Sequence, residues 1–150
     1  MLQKTQSKAH SSTNYMSIID GMNAATTAMT AQAHRMNTVA GNIANLNTVA
    51  SSPEQAHKAR LVTFKTIYQG EAQTVVVRNI VESTAPNRPI FDPNNPLADA
   101  QGYIYASNVN REEQMADLIS AQQSYEANAQ VAKTLKNLAI STIKSIKSNQ

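Results

Sequence analysis

The most restrictive feature of the sequence is an apolar repeat near its beginning, with alternating steps of four and three residues. The repeat runs through four heptads, and Gln32 is its only polar member. Such spacing places the side chains on one face of a helix and is typical of helices that pack along a seam. We therefore predict a long helix over 17–47, whose seam comprises Ile18, Met22, Ala25, Met29, Gln32, Met36, Val39, Ile43 and Leu46. Ser17 or Asp20 is its expected N-cap, and the cluster Asn45–Asn47 is its expected end.

A second helical pattern occupies 111–148, where neither glycine nor proline interrupts the chain. Acidic residues lie in its first half and lysines in its second half, an arrangement that complements the helix dipole. The expected seam shifts by one place midway, and comprises Met115, Leu118, Gln122, Tyr125, Ala129 and Ala132, then Leu135, Ala139, Ile143 and Ile146.

The segment 48–110 between these helices has the composition of a small β-rich insert. Its β-branched and aromatic runs predict strands over 61–68 and 74–81, and a short third strand near 102–105. The prolines at 86, 89, 93 and 96 predict an extended, irregular stretch between them. The predicted fold is mainly α with a small β insert: the long N- and C-terminal helices form an antiparallel coiled coil, and a β-hairpin with an irregular stretch forms the middle segment. Residues 1–16 are polar, and we expect a disordered leader there.

The composition favours burial between chains over burial within one chain. Apolar residues make up 41% of the sequence, but it has two phenylalanines and no tryptophan, and alanine contributes little buried area. A two-helix hairpin rarely holds together unaided. We expect its outer faces to pack against neighbouring subunits through Ala24, Ala28, Ala31, Ala121 and Ala127. We also expect both chain ends to be largely disordered before assembly.

No pattern in the sequence predicts catalysis, a cofactor or a metal site. The three histidines, His10, His34 and His57, lack the spacing of metal ligands, and cysteine is absent. Asp92 and Asp99 lie in a proline-rich stretch, where aspartate commonly bonds to nearby backbone. The net charge of +3 is scattered, which argues against nucleic acid as a partner. No apolar run is long enough to insert in a membrane, and the first residues lack the apolar core of a cleaved signal peptide.

Two segments are similar to a known family. Val39–Asn45 resembles the signature near the end of the first helix in flagellar rod and hook proteins. Asp92–Tyr103 is the more specific segment, and with the residues after it resembles the FlgC-type proximal rod proteins of the bacterial flagellum. The matching motif residues are Gly41, Asn42, Asn45, Asp92, Pro96, Asp99, Gly102, Tyr103, Asn108 and Asn128. The chain departs from the family pattern at His57, Ser107, Gln114 and Gln123, where tyrosine, proline, glutamate and arginine are usual.

The resemblance implies a structural subunit of the proximal rod, the drive shaft that crosses the periplasm in the basal body. It implies unfolded export by the flagellar type III apparatus without a cleaved signal, followed by helical assembly around the export channel. The implied partners are copies of itself, other proximal rod proteins, and export-gate and adaptor proteins. The implied arrangement has the terminal helices lining the tube and the β insert outside them.

Several roles stay open at the level of sequence. The interface residues predicted to face each other are Ile18, Met22, Met29, Met36, Val39 and Ile43 on the first helix, with Leu118, Tyr125, Leu135 and Ile143 on the second. Asn42 and Asn45 could simply cap the helix or contact another subunit. Asp92–Tyr103 could be an extended docking segment or an ordered surface loop. An alternative function is that of a soluble helical adaptor or chaperone in type III secretion.

Overall fold

Two long helices flank a β-rich middle segment in the computed structural model. It describes the backbone of residues 2–69 and 72–148 and the side chains of 16–68 and 72–147. Helix α1 comprises Leu2–Ala44, and helix α2 comprises Arg111–Ser148. The helices pack antiparallel, because Arg35 meets Asp117 and Gly21 meets Leu135. The predicted fold class is confirmed.

Helix α1 begins well before the predicted cap. It starts at Leu2, so Ser17 and Asp20 both lie inside the helix, and the prediction of a cap at either residue is wrong. The physical reason is that residues 2–16 contain no glycine or proline to interrupt a helix, and about half of them (Leu2, Gln3, Lys4, Gln6, Lys8, Ala9 and Met16) are good helix formers. Polarity argues against burial, not against helix formation. Met1 and the side chains up to Tyr15 lie outside the described residues, so disorder of the leader in the free chain stays a prediction.

Asn45 ends helix α1 in the manner expected from the sequence. Its side-chain amide donates to the carbonyl of Gly41 at 2.9 Å, where the helix would otherwise leave an acceptor unpaired. The backbone N–H of Asn45 bonds to the carbonyl of Asn42 at 3.1 Å, which tightens the last turn. The chain then leaves the helix through turns at 45–47.

Helix α2 begins with a side-chain cap at Asn110. The Asn110 Oδ1 accepts the backbone N–H of Glu113 at 3.2 Å, and the Asn110 carbonyl accepts that of Gln114 at 3.1 Å. Glu112 and Glu113 occupy the first turn and Lys147 the last, as the charge pattern predicts.

The middle segment forms two small sheets. In the first, β1 (Val49–Ala50), β5 (Tyr103–Ala106) and β4 (Arg88–Phe91) pair antiparallel in the order β1-β5-β4. The second pairs β2 (Arg60–Gln69) with β3 (Ala72–Glu82), two strands that were expected from the composition. Strand β5 corresponds to the short third strand predicted near 102–105.

The proline-rich stretch is more regular than predicted, because it contains strand β4. Pro89 lies within β4 and is aligned with Tyr105 of β5. Strand β4 is at the edge of its sheet, where a residue without an N–H costs no ladder hydrogen bond on the open side. A proline in the sequence is typical of a break in a strand, so β4 was not predicted.

Asp92–Tyr103 is a turn-rich connection between β4 and β5, so the prediction of an extended segment is wrong and the ordered surface loop is the conformation observed. The Asp99 carboxylate accepts the backbone N–H groups of Gln101 and Tyr103, both at 2.9 Å, and the hydroxyl of Tyr105 at 3.0 Å. These bonds, that from Tyr103 above all, hold the pKa of Asp99 below its ordinary value. The bond to Asp99 raises the pKa of the Tyr105 phenol. Gly102 closes the loop with a φ of +84°.

The chain forms two compact units, each with parts of both helices and of the β segment. The first comprises 1–32, 64–76 and 123–150, and the second comprises 33–63 and 77–122. In the first unit, Gly21 allows close approach of Leu135, whose Cδ1 would lie 3.0 Å from an added Cβ. Thr74 joins β3 to α1 by donating to the carbonyl of Ala24 at 3.2 Å. The division into a discontinuous helical domain (17–47 and 111–148) and an insert (48–110) stays a prediction.

The buried apolar residues are mostly small. They include Ala25 and Ala31 in the first unit, and Ala56, Ala59 and Ala121 in the second. The prediction that Ala31 and Ala121 face outward is wrong, since they are only 2% and 0% exposed. The β segment also contacts α1, through Thr74 and the Arg60 backbone, so this helix buries residues beyond those that face α2.

We predict that Gly102→Ala destabilises the β4–β5 connection selectively. An added Cβ would lie 2.9 Å from Cε2 of Phe91 and 3.2 Å from Cβ of Pro93, in a left-handed backbone conformation. The expected loss in the free energy of unfolding is about 2 kcal/mol, measured by chemical denaturation. An unchanged unfolding curve would show that the loop relaxes freely and that the glycine is not needed.

Candidate assembly surface

Asn42 joins three elements of the second unit and is almost completely buried, at 1% exposure. Its Nδ2 donates to the Arg60 carbonyl and to Gln114 Oε1, both at 2.8 Å, and its Oδ1 accepts the Arg60 N–H at 2.8 Å. One amide side chain thus bonds α1 to the start of β2 and to the first turns of α2. We call Asn42, Gln114 and the Arg60 backbone the amide joint.

Two further asparagines hold the loops beside the amide joint. Asn108 accepts the Ala59 N–H at 2.6 Å and donates to the Ala85 carbonyl at 2.6 Å. Asn87 donates to the carbonyls of His57 and Ala106, at 3.0 and 2.9 Å. Because buried backbone groups must be paired, these amides fix loops that have few large apolar side chains to hold them.

A groove of about 470 Å³ runs beside the end of helix α1. We call it the Gly41 groove; it is lined by His34, Asn37, Thr38, Gly41, Asn42, Asn45, His57, Arg60 and Ile80. Burial is the main cause that lowers the pKa of His57, and the nearby Arg60 guanidinium adds to it. The Nε2 of His57 is closed off from solvent and has no hydrogen-bond partner among the described residues.

Helix α2 presents large apolar side chains outside its seam. Met115 is 48% exposed and Ile119 is 53% exposed on one side, and Val131 and Leu138 are each 49% exposed on another. The spacing of 115 and 119, and of 131 and 138, places each pair on one helix face. Exposed apolar surface of this kind marks sites of association with other proteins.

Comparisons with known proteins agree with a role in assembly. Residues 22–49 match the family described as "Flagella basal body rod protein", and residues 100–144 match "Flagellar basal body rod FlgEFG protein C-terminal". The flagellar basal-body rod protein FlgC of Yersinia enterocolitica is 38% identical over 130 residues, covering 85% of this chain and 97% of that protein. The chain belongs to the FlgC family. FlgC of Salmonella typhimurium is 35% identical over 130 residues with the same coverage, and that of Aquifex aeolicus is 33% identical over 126, covering 82% of this chain and 92% of that protein.

Membership of the FlgC family makes this chain a structural subunit of the flagellar basal-body rod, not an enzyme. Rod proteins assemble with one another, so other rod proteins are its partners. Neither helix, over the residues described, is long and apolar enough to cross a membrane. The same residues contain no cluster of three or more His, Asp or Glu side chains arranged to hold a metal ion.

The predicted seam residues of this FlgC-family chain fall into three groups. Ile18 and Val39 are buried, whereas Ile143, expected to face α1, is 45% exposed. Partial burial is common to Met22, Met29, Met36, Ile43, Leu118, Tyr125 and Leu135. Their part in contacts between subunits stays a prediction.

The phase of the seam on α2 differs from the prediction. Met115 is exposed, and the residue before it, Gln114, is buried at 4% exposure. Ala121 is buried where Gln122 was predicted, while Asn128 and Ala129 are both half-buried, as are the predicted seam residues Leu118 and Tyr125. The prediction followed an unbroken three–four rhythm from Met115, whereas the chain buries the neighbouring amide of Gln114 and the small side chain of Ala121.

The motif residues serve different purposes. Asn42 bonds α1 to β2 and α2, Asn108 bonds the loops at Ala59 and Ala85, and Asn45 ends α1. Asp99 and Gly102 shape the loop before β5. Tyr103 packs edge-on against Phe91, with ring centroids 5.2 Å apart. Three more occupy the surface or local turns: Asp92 accepts from Asn95 at 3.2 Å, Asn128 donates to the Ser124 carbonyl at 2.8 Å, and Pro96 is exposed. Asn42 does not cap the helix, because its side chain bonds to Arg60 and Gln114; a contact of Asn42 with another subunit stays a prediction.

Sequence reasoning missed Asn87, Arg60 and the ion pair of Arg35 with Asp117. Arg35 Nη2 lies 2.6 Å from Asp117 Oδ1, and both side chains are partly exposed. The sequence does indicate this ion pair, since Arg35 directly precedes the seam residue Met36 and Asp117 directly precedes Leu118. Opposite charges beside a seam set the register of two helices. An exposed pair of this kind adds only about 0–1 kcal/mol of stability.

We predict that Asn42→Ala destabilises the subunit strongly. The change leaves the Arg60 N–H and carbonyl and the Gln114 Oε1 without their partner in a buried place. The expected loss in the free energy of unfolding is about 3 kcal/mol, measured by urea denaturation.

Asn45→Ala is the matched control for Asn42→Ala, because the Asn45 side chain bonds only to a helix-end carbonyl near the surface. Its expected cost is about 0.5–1 kcal/mol. Equal losses in the two variants would contradict the central place given to the amide joint.

Proposed function

We propose that copies of this chain pack side by side in a helical array within the proximal rod, and that the array transmits torque and encloses the export channel. The observation that carries this proposal is the exposed apolar surface of helix α2. Met115, Ile119, Val131 and Leu138 leave large apolar areas in water in the isolated chain. Burying a side chain of this size gains about 1.5–3 kcal/mol, so many shallow helix contacts can hold a stiff polymer.

The small core supports the same proposal. The largest described side chain that is less than 2% exposed is an asparagine, and alanines supply much of the remaining apolar core. A subunit built in this way gains much of its rigidity from its neighbours. In the proposed array, the terminal helices line the tube, the β segment lies outside them, and the seam residues make contacts within and between subunits.

The proposed partners are copies of this chain, other proximal rod proteins, and the export-gate and adaptor proteins beneath the rod. The proposed location is the part of the rod that crosses the periplasm, reached by unfolded export without a cleaved signal peptide. A chain without cysteine suits this route, because it cannot be caught by disulfide formation while unfolded.

We predict that the purified protein self-associates with concentration through the apolar surface of α2. The weight-average mass in sedimentation should rise steadily above the monomer's 16.3 kDa. Val131→Asp should raise the concentration for half-assembly by more than about tenfold, because a buried unpaired charge is costly.

Gln130→Asp is the matched control for that measurement, since it adds the same charge at an exposed polar position next to Val131. It should assemble like the wild type. A wild-type mass that stays at one small oligomer at every concentration would contradict the proposed function and favour the soluble adaptor.

We predict that both ends of the free subunit exchange their amide hydrogens rapidly before assembly. Met16, Ile19, Ile143 and Ile146 are exposed in the isolated chain, so the helix ends have little packing to protect them. Hydrogen exchange should show fast labelling near both termini and slow labelling in β5. Rapid labelling confined to the β segment would overturn this expectation.

A further inference from the structure

Gly41 is a glycine that the fold of its own chain does not require. It lies inside helix α1, is exposed, and an added Cβ would have no atom within 4 Å. Its backbone is helical, without the positive φ that makes glycine necessary at Gly102. Glycine weakens a helix relative to alanine, so the position carries a cost with no gain inside the subunit. A bare helix surface does, however, allow another backbone to come close.

The Gly41 groove has the chemistry of a site for carboxylates. Arg60 is its only permanently charged lining residue, and His34, Asn37 and Thr38 add polar groups without any acid. No residue in the described ranges forms an ion pair with the Arg60 side chain. Glu82, the last residue of β3, acts electrostatically on His57 but lies beyond ion-pair distance of Arg60. Arginine recognises carboxylates by paired hydrogen bonds, so this guanidinium is available for an acidic group from outside the chain.

The chain also carries acids that lack partners. Asp99 is bonded to Tyr105, and Asp117 is paired with Arg35. By contrast, Glu112 and Glu113 are adjacent and exposed on the first turn of α2, and their carboxylates have no ion pair or side-chain hydrogen bond within the described residues. Two neighbouring carboxylates are therefore available there for a cation from outside the chain.

We propose that the Gly41 groove binds the Glu112–Glu113 turn of a second copy of this chain. The contact is heterologous, since a groove on one copy meets a helix start on the next, and such contacts repeat along an open helical assembly. Gly41 allows the incoming turn to approach α1, and Arg60 binds its carboxylates. This inference rests on the proposed self-assembly and identifies one of its contacts.

The test uses two variants with reversed charge, Arg60→Glu and the double change Glu112→Lys with Glu113→Lys. Each variant alone should need at least about tenfold more protein for half-assembly in sedimentation. An equimolar mixture should assemble near the wild-type concentration, because the groove of the Arg60→Glu variant is acidic and accepts the lysine turn of the other variant. In the same mixture, the groove of the double variant still has Arg60 and binds the acidic Glu112–Glu113 turn of the Arg60→Glu variant. Recovery by mixing cannot result from repair inside one chain.

Two further variants keep the outcome decisive. Arg78→Glu makes the same charge change on β3 outside the groove, and it should assemble like the wild type. Gly41→Leu places its Cβ where no atom lies within 4 Å and extends into a groove of about 470 Å³. It should therefore keep its helical circular dichroism and its melting temperature yet assemble at least about tenfold less readily.

The possible failures are distinguishable. If wild type assembles but Arg60→Glu or Gly41→Leu assembles equally well, or if the mixture stays unassembled, the groove contact is wrong and the proposed function stands. If the wild type never assembles, the proposed function and this inference both fall.

Discussion

The fold of the second unit depends on one side chain that makes three hydrogen bonds at once. Asn42 donates to β2 and to α2 and accepts from β2, and every bond is 2.8 Å long. An amide can do this because it has both donors and acceptors, whereas an apolar side chain in the same place could only fill space. The two helices and the β segment therefore hold a defined relation at this point, although few large side chains are buried around it.

A core of small and amide side chains also explains how the chain can be both a folded subunit and a component of a polymer. Alanines and amides occupy the interior, and several large aliphatic side chains of α2 remain outside. A monomer that buried those side chains would be more stable alone but would have less apolar surface to bury against its neighbours. Rod assembly by the FlgC family is thus consistent with a subunit whose apolar surface is distributed toward the outside.

The sequence predicts long elements well and the choice among neighbouring residues poorly. Helix α2 and strands β2 and β3 follow from periodicity and β-branched composition, because these signals extend over many residues. The start of α1 does not, since polar helix formers between 2 and 16 look the same in a helix and in a loop. Strand β4 was not predicted because it contains Pro89. A proline is tolerated in an edge strand, and the sequence does not show that β4 lies at an edge.

The phase of the seam on α2 could not be derived for a similar reason. Whether Gln114 or Met115 is buried depends on whether the facing helix has a hydrogen-bond partner such as Asn42 at that place. The motif residues were found by resemblance, but their roles were not, because a short motif shows which residues matter and not what they touch.

Gln114 has one more consequence. With glutamine in a position where FlgC-type proteins usually carry glutamate, the amide joint contains no ionisable side chain at all. Protonation cannot open it and dissolved ions cannot screen it, so the amide joint itself should keep its geometry in acid, in concentrated salt and in dilute buffer. A response of the subunit to acid or salt would instead begin at its charged contacts, the Asp99 loop and the Arg35–Asp117 pair.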